Sequence, residues 1–250
     1  MDTWSIEYHD KVAVLTFTRP PKNTMDFTSI RRLGDHLESL AKKTDEVKVV
    51  MLTGGVDGYF IAHADLADLA SNGRGESTEA DLEGWDRALR LLEEIPQPTI
   101  AAIDGQAWGG GNETALACTL RIGSERAHVG NPEVLVGIIP GGGGTIRLPR
   151  LVGPGVAADA IIAGRVFKAQ EALQHGWLNA VLPTEGFRES AIEWAQNVAR
   201  HPGDALFAAK KAIVEGLKLP QAEGLKLERK LFNEISATSS LLQQKGSEEA

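Results

Sequence analysis

Residues 100–153 read IAAIDGQAWGGGNETALACTLRIGSERAHVGNPEVLVGIIPGGGGTIRLPRLVG. The run TIAAI at 99–103 follows Pro96 and Pro98 and predicts a short buried strand. Two glycine runs, Gly109-Gly110-Gly111 and Gly141 through Gly144, are each followed by helix-compatible sequence. Consecutive glycines let backbone N–H groups approach a ligand with no Cβ in the way. A helix opening there adds partial positive charge. Two tight turns are the plainer reading of the same residues. Glu113 stands in an otherwise small and apolar segment, GNETALAC, and Glu133 follows Pro132 just before VLVGII. A carboxylate among apolar neighbours has its pKa raised, which suits proton transfer near neutral pH. Two such groups near backbone donors make an acid/base site. The alternatives are a helix-start Glu favoured by the dipole and a surface turn, and residue types alone leave them open.

The flanks give the layering. Residues 12–18 (VAVLTFT) and 47–53 (VKVVMLT) read as strands, closed by Pro20-Pro21 and by Gly54-Gly55. Ile30, Leu33, Leu37 and Leu40 are spaced for a helix over 27–40, and Leu82, Trp85, Leu89 and Leu92 mark another. Residues 71–77 (SNGRGES) read as a loop. Strands alternating with helices predict an α/β layered body. Past Gly153 amphipathic segments dominate, at 156–163, 169–175, 186–200, 204–217 and 221–236, and only 178–182 looks like a strand. We therefore expect a core over 1–190 and a helical region over 191–250 that packs on a neighbouring subunit, with 245–250 frayed.

Composition narrows the function classes. The 250 residues carry a net charge of −8, a poor start for binding nucleic acid. Any anionic ligand then needs helix N-termini or one or two Lys or Arg. The single cysteine, Cys118, excludes an intrachain disulfide and a cysteine-based metal site, and the six histidines lack metal-ligand spacing. The longest uncharged stretches, 134–146 and 172–184, contain Gly and Pro and fall short of the ~20 apolar residues of a spanning helix. The start, MDTWSIEYHD, has neither the basic nor the apolar region of a secretory signal. A cytoplasmic setting without membrane association is expected. Nucleotide and hydrolase signatures fail: there is no G-x-x-x-x-G-K-[ST] and no G-x-S-x-G. GPGVAA at 153–158 fits G-x-G-x-x-A, but RLPRLV before it is no buried strand.

The 100–153 stretch resembles the central signature of the enoyl-CoA hydratase/isomerase, or crotonase, superfamily. The likeness extends to TRPPKN at 18–23, YFIAHADL at 59–66 and AIIAGRVFKAQEALQHGWLNAVLP at 160–183. It implies an α/β spiral of ββα units, trimers or hexamers held by a C-terminal helical trimerisation region, and acyl-CoA thioester substrates. It implies no metal and no cofactor besides the coenzyme A carried by the substrate. By resemblance, the backbone N–H groups of Ala64 and Gly110 form the oxyanion hole. Glu113 is the base that directs water to C3, and Glu133 is the acid that protonates C2. Lys22, Ala62, His63, Asp65, Leu66, Gly109, Pro132 and Gly141 are the implied substrate-binding positions. Having both carboxylates favours a hydratase over isomerase, hydrolase or decarboxylase relatives, and the net charge of −8 speaks against the alternative of a non-catalytic, RNA-binding protein of the same fold.

Three departures stand out. His63 occupies a usual glycine position before Ala64. Ala67 and Asp68 follow Leu66, where relatives carry Lys or Arg near the CoA phosphates. Trp108 precedes the glycine run where Ala or Leu is usual. It reads either as a limit on acyl length or as a core residue, and core is favoured because buried aromatics are the commoner case.

Overall fold

The computed structural model describes residues 2–240, 242 and 244. The expected fraying at 245–250 lies outside them. The chain winds as successive turns that alternate strands with helices. β1 (Trp4–His9) and β2 (Val12–Phe17) form an antiparallel hairpin that leads into α1 (Phe27–Ala41). The next turn holds β3 (Val49–Gly54), α2 (Leu66–Gly73) and α3 (Glu79–Glu94). Then come β4 (Thr99–Ile103), β5 (Gln106–Trp108) and α4 (Gly110–Ala117). The fourth turn has β6 (Leu120–Ser124), β7 (His128–Gly130), a 3-10 turn (Glu133–Val136), α5 (Gly144–Val152) and α6 (Pro154–Ile161). β8 (Phe167–Lys168), α7 (Ala169–Gln174) and β9 (Ala180–Leu182) close the body. α8 (Phe187–Ala199), α9 (Gly203–Gly216) and α10 (Gln221–Thr238) follow.

One sheet runs in the order β1-β2-β3-β4-β6-β9, parallel from β2 onward, and a smaller one runs β5-β7-β8. The large sheet is buried on both faces. Ala13, Leu15, Val50, Leu52, Ala101 and Ile103 look toward α1, α3 and α4. Their alternates Val12, Val14, Val49, Met51, Ile100 and Ala102 look toward Phe187, Ala191, Ala195 and Ala199 of α8. Burial on both faces is why these strands read as continuous apolar runs rather than alternating ones. The expected boundary at 190/191 falls inside α8, a helix that packs on the body's own sheet.

Helix ends are secured by polar side chains. Asp26 caps α1 by accepting from the Ser29 N–H at 2.7 Å, a contact that typically stabilises by ~1 kcal/mol. Asp68 accepts the Phe27 N–H at 2.7 Å. The acidic residue found where relatives carry a cation thus ties α2 to the start of α1. Lys210 of α9 is buried, and its ammonium donates to the carbonyls of Leu92, Ile95 and Gln97 at 3.0, 2.8 and 2.9 Å. A cation at the end of α3 complements that helix's dipole. Burial pulls the Lys210 pKa down to about 8. Among the described residues no helix is long and apolar enough to cross a membrane.

Candidate active site

Short segments that follow the strands of the large sheet lie side by side, and this alignment assembles the site. Met25 bridges Ala64, Tyr59 bridges Gln106, and β5 pairs with β7. The carboxyl ends of these segments bring together Ala64, Gly109-Gly110 and Asn131–Glu133. Asn23, buried with a left-handed φ of 55°, anchors the first crossing. Its side chain donates to the carbonyls of Phe17 and Phe60 and accepts the Arg19 N–H, while its own carbonyl accepts the Ala62 N–H. Asp65 caps α2 and accepts from Arg19 at 2.8 Å. Burial pushes the Asp65 carboxyl up, but Arg19, the Ala67 N–H and Thr24 together hold it below the usual range.

These contacts leave two backbone donors free. The N–H groups of Ala64 and Gly110 find no acceptor among the described residues, and both residues are buried. A Cβ built on Gly110 would lie 3.0 Å from the Ala64 Cβ, so the two donors are neighbours. Gly109 adopts φ +48°, and a Cβ there would meet the Glu133 carboxylate at 3.2 Å. Only glycine takes that conformation beside that carboxylate without strain. Gly110 then opens α4, adding the helix-start field to the donor pair.

Glu113 lies one turn into α4 and is 3% exposed. Its Oε1 accepts the N–H groups of Gly142 and Gly144 at 2.7 and 2.8 Å. The second glycine run thus cradles a carboxylate of the protein. Gly141 is exposed and a Cβ there would touch nothing, so Gly142, Gly143 and Gly144 are the run's close-contact positions. Arg147 steadies the run by donating to the Gly142 carbonyl at 2.7 Å and to Glu93 of α3 at 2.6 Å. Burial pushes the Glu113 pKa up to about 7. The Gly144 and Gly142 N–H groups and Arg147 oppose the rise, and the charge of Glu133 adds to it.

Glu133 is half-buried at the start of the 3-10 turn that follows Pro132. A buried polar relay leads to it. Trp177 donates to Asn112 at 3.1 Å, Asn112 to Asn131 at 2.7 Å, and Asn131 to Glu133 Oε1 at 3.1 Å. Oε2 is buried with no hydrogen-bond partner in the structure. Burial raises its pKa against the Asn131 bond. A buried, unpartnered carboxylate oxygen favours the protonated form. The apolar run after Glu133 is not what desolvates it: Leu135 is 72% and Ile139 74% exposed.

Ala62 is buried on the approach to Ala64. His63 is half-buried, with Nδ1 2.7 Å from the Ala64 carbonyl, so it braces the loop. Leu66 and Lys22 are exposed. Trp108 is not a core residue. It is half-buried, on the face of β5 opposite buried Ala107, with its N–H 3.1 Å from His128 Nδ1 and its ring tilted against that imidazole. Sequence reasoning misses Trp85, counted there as one apolar mark on a helix. Its indole reaches Gly110, where a Cβ would meet Cζ2 at 2.9 Å and Cη2 at 3.0 Å. Among the described residues no cluster of His, Cys, Asp and Glu could hold a metal ion.

The enoyl-CoA hydratase/isomerase family model matches residues 7–248. The chain belongs to the enoyl-CoA hydratase/isomerase family. It is 35% identical to a short-chain-enoyl-CoA hydratase of Clostridium acetobutylicum, over 93% of this chain and 89% of that one. It is 34% identical to the 2,3-dehydroadipyl-CoA hydratase of Escherichia coli, over 93% and 90%. A crystal structure of an enoyl-CoA hydratase from Bacillus anthracis superimposes with a TM-score of 0.90 at 33% identity, covering 99% of this chain and 96% of that one. The mixed α/β spiral is thus the crotonase fold, as the central motif implied.

Proposed function

We propose that this protein is an enoyl-CoA hydratase, adding water reversibly to a trans-2-enoyl-CoA to give the 3-hydroxyacyl-CoA. The observation that carries the reading is the pairing of two desolvated carboxylates, Glu113 and Glu133, with the free N–H groups of Ala64 and Gly110. In this reading the thioester oxygen accepts both N–H groups, which stabilise the enolate-like charge as it develops. Glu113 takes a proton from water as the water oxygen bonds to C3. The π pair moves to C2, which takes its proton from Glu133. The chemistry draws on these groups alone, and coenzyme A enters and leaves with the substrate.

Lys22, exposed beside Asn23, is our candidate for a CoA phosphate contact. We further propose a trimer, or a hexamer of two trimers, formed through the C-terminal helices in a cytoplasmic setting. Support for the assembly is the apolar surface those helices leave uncovered, including Ile213, Leu217, Leu225 and Phe232. Light scattering on the purified chain tests the assembly. The activity is tested by mixing protein with crotonyl-CoA and following the enoyl absorbance. Its loss, with 3-hydroxybutyryl-CoA as product, is expected. Turnover of a 3-enoyl-CoA to the 2-enoyl isomer without hydration would overturn the reading in favour of an isomerase.

A further inference from the structure

Trp85 lies between the donor glycine Gly110 and the Glu113 cradle. The benzo edge of its indole lies against Gly110, whose missing Cβ is what admits it. The pyrrole edge lies against Gly142: the point a Cβ would occupy there is 2.7 Å from both Trp85 Nε1 and Glu113 Oε2. The indole N–H and the unengaged oxygen of Glu113 are therefore at most twice that distance apart. Neither atom has a hydrogen-bond partner among the described residues. The ring is half-buried and packs against the core.

We propose that Trp85 is the specificity-determining wall of the acyl site and restricts the enzyme to short enoyl-CoA thioesters. This inference rests on the hydratase reading. With the thioester oxygen on Gly110 and Ala64, C3 lies within reach of Glu113, and the C3 substituent extends past the free Glu113 oxygen. The indole occupies that space. It is held there by α3, whose far end Lys210 fixes and whose Glu93 is tied to Arg147. A rigid ring on a braced helix is a wall that a longer chain cannot push aside without disturbing Gly110 and Gly142, the glycines that align the donors and the base. The sequence draws attention to the wrong tryptophan, because Trp108 adjoins the glycine run along the chain and Trp85 adjoins it only in space.

The test is kcat/KM for 2-enoyl-CoA esters of four, six, eight and ten carbons, in wild type, Trp85→Ala and Trp85→Phe. Wild type is expected to lose at least tenfold between four and ten carbons. Trp85→Ala should flatten or reverse that decline, gaining up to about fourfold for each methylene newly buried. Trp85→Phe, which keeps a ring, should stay close to the wild-type profile. Circular dichroism and thermal midpoints check folding, and Trp85→Leu replaces the alanine variant if that one fails to fold. A folded variant without the ring that keeps the wild-type length profile overturns the inference and leaves the hydratase reading intact. A wild type that hydrates no ester of the series overturns both.

Discussion

Gly142 donates its N–H to Glu113 Oε1 over 2.7 Å, and the place its Cβ would take lies 2.7 Å from the same carboxylate's Oε2. One residue thus orients the base and leaves room for it. Gly142→Ala forces a methyl group between Glu113 and Trp85, so the carboxylate must turn or move. Misplacing a catalytic group by about 1 Å can cost ~100-fold. Gly142→Ala is expected to fold and to lose ten- to a hundredfold in kcat, whereas Gly141→Ala, at a position open to solvent, stays near wild type. Equal kcat in the two variants would contradict the cradle.

The charge of Glu133 adds to the rise of the Glu113 pKa, so the ionisation of one affects the other. The productive form carries one proton between them, and kcat/KM is expected to be bell-shaped in pH. Glu133→Gln leaves Glu113 to titrate alone. Without the neighbouring negative charge its pKa falls below the value of about 7 it has in the pair. The residual activity of that variant should then rise at lower pH and lose the pair's alkaline limb. An unchanged bell would mean that Glu133 is not the partner.

The same burial sets a stability cost. The Glu113 pKa goes from 4.5 to about 7 on folding, so between those values the native state binds more protons than the unfolded chain. Stability contributed by this group is therefore lost as pH rises through that window. Above it, the native state carries the buried charge at a cost on the order of 3 kcal/mol. Glu113→Gln removes the cost while its amide oxygen still accepts from Gly142 and Gly144. Urea unfolding should find the variant more stable than wild type at pH 8, with the gap closing near pH 4.5. A gap that does not change with pH would show that Glu113 is not the titrating group.

Local pattern made much of the fold legible, and tertiary relationships account for what it missed. The stripe Ile30, Leu33, Leu37, Leu40 and the run TIAAI translate directly into α1 and β4, because burial on one helix face or in a parallel sheet leaves a periodic mark. β1 leaves a weaker one: WSIEYH is largely exposed along an edge. The three-residue strands β5 and β7 are too short to show a period. At the site, Glu113, Glu133 and the glycine runs stood out by composition. The Trp177–Asn112–Asn131 relay, the Asp68 cap and the Lys210 anchor did not, since each joins elements distant along the chain. The apolar run at 134–139, read as the surroundings that desolvate Glu133, is exposed instead.

The hydration mechanism turns on the paired carboxylates, and kcat on crotonyl-CoA for Glu113→Gln and Glu133→Gln tests it most directly. Groups acting as general acid or base contribute about 10²–10⁴-fold. Each variant, folded by circular dichroism, is predicted to lose kcat by that factor. A folded variant of either residue that retains near-wild-type kcat would contradict the mechanism.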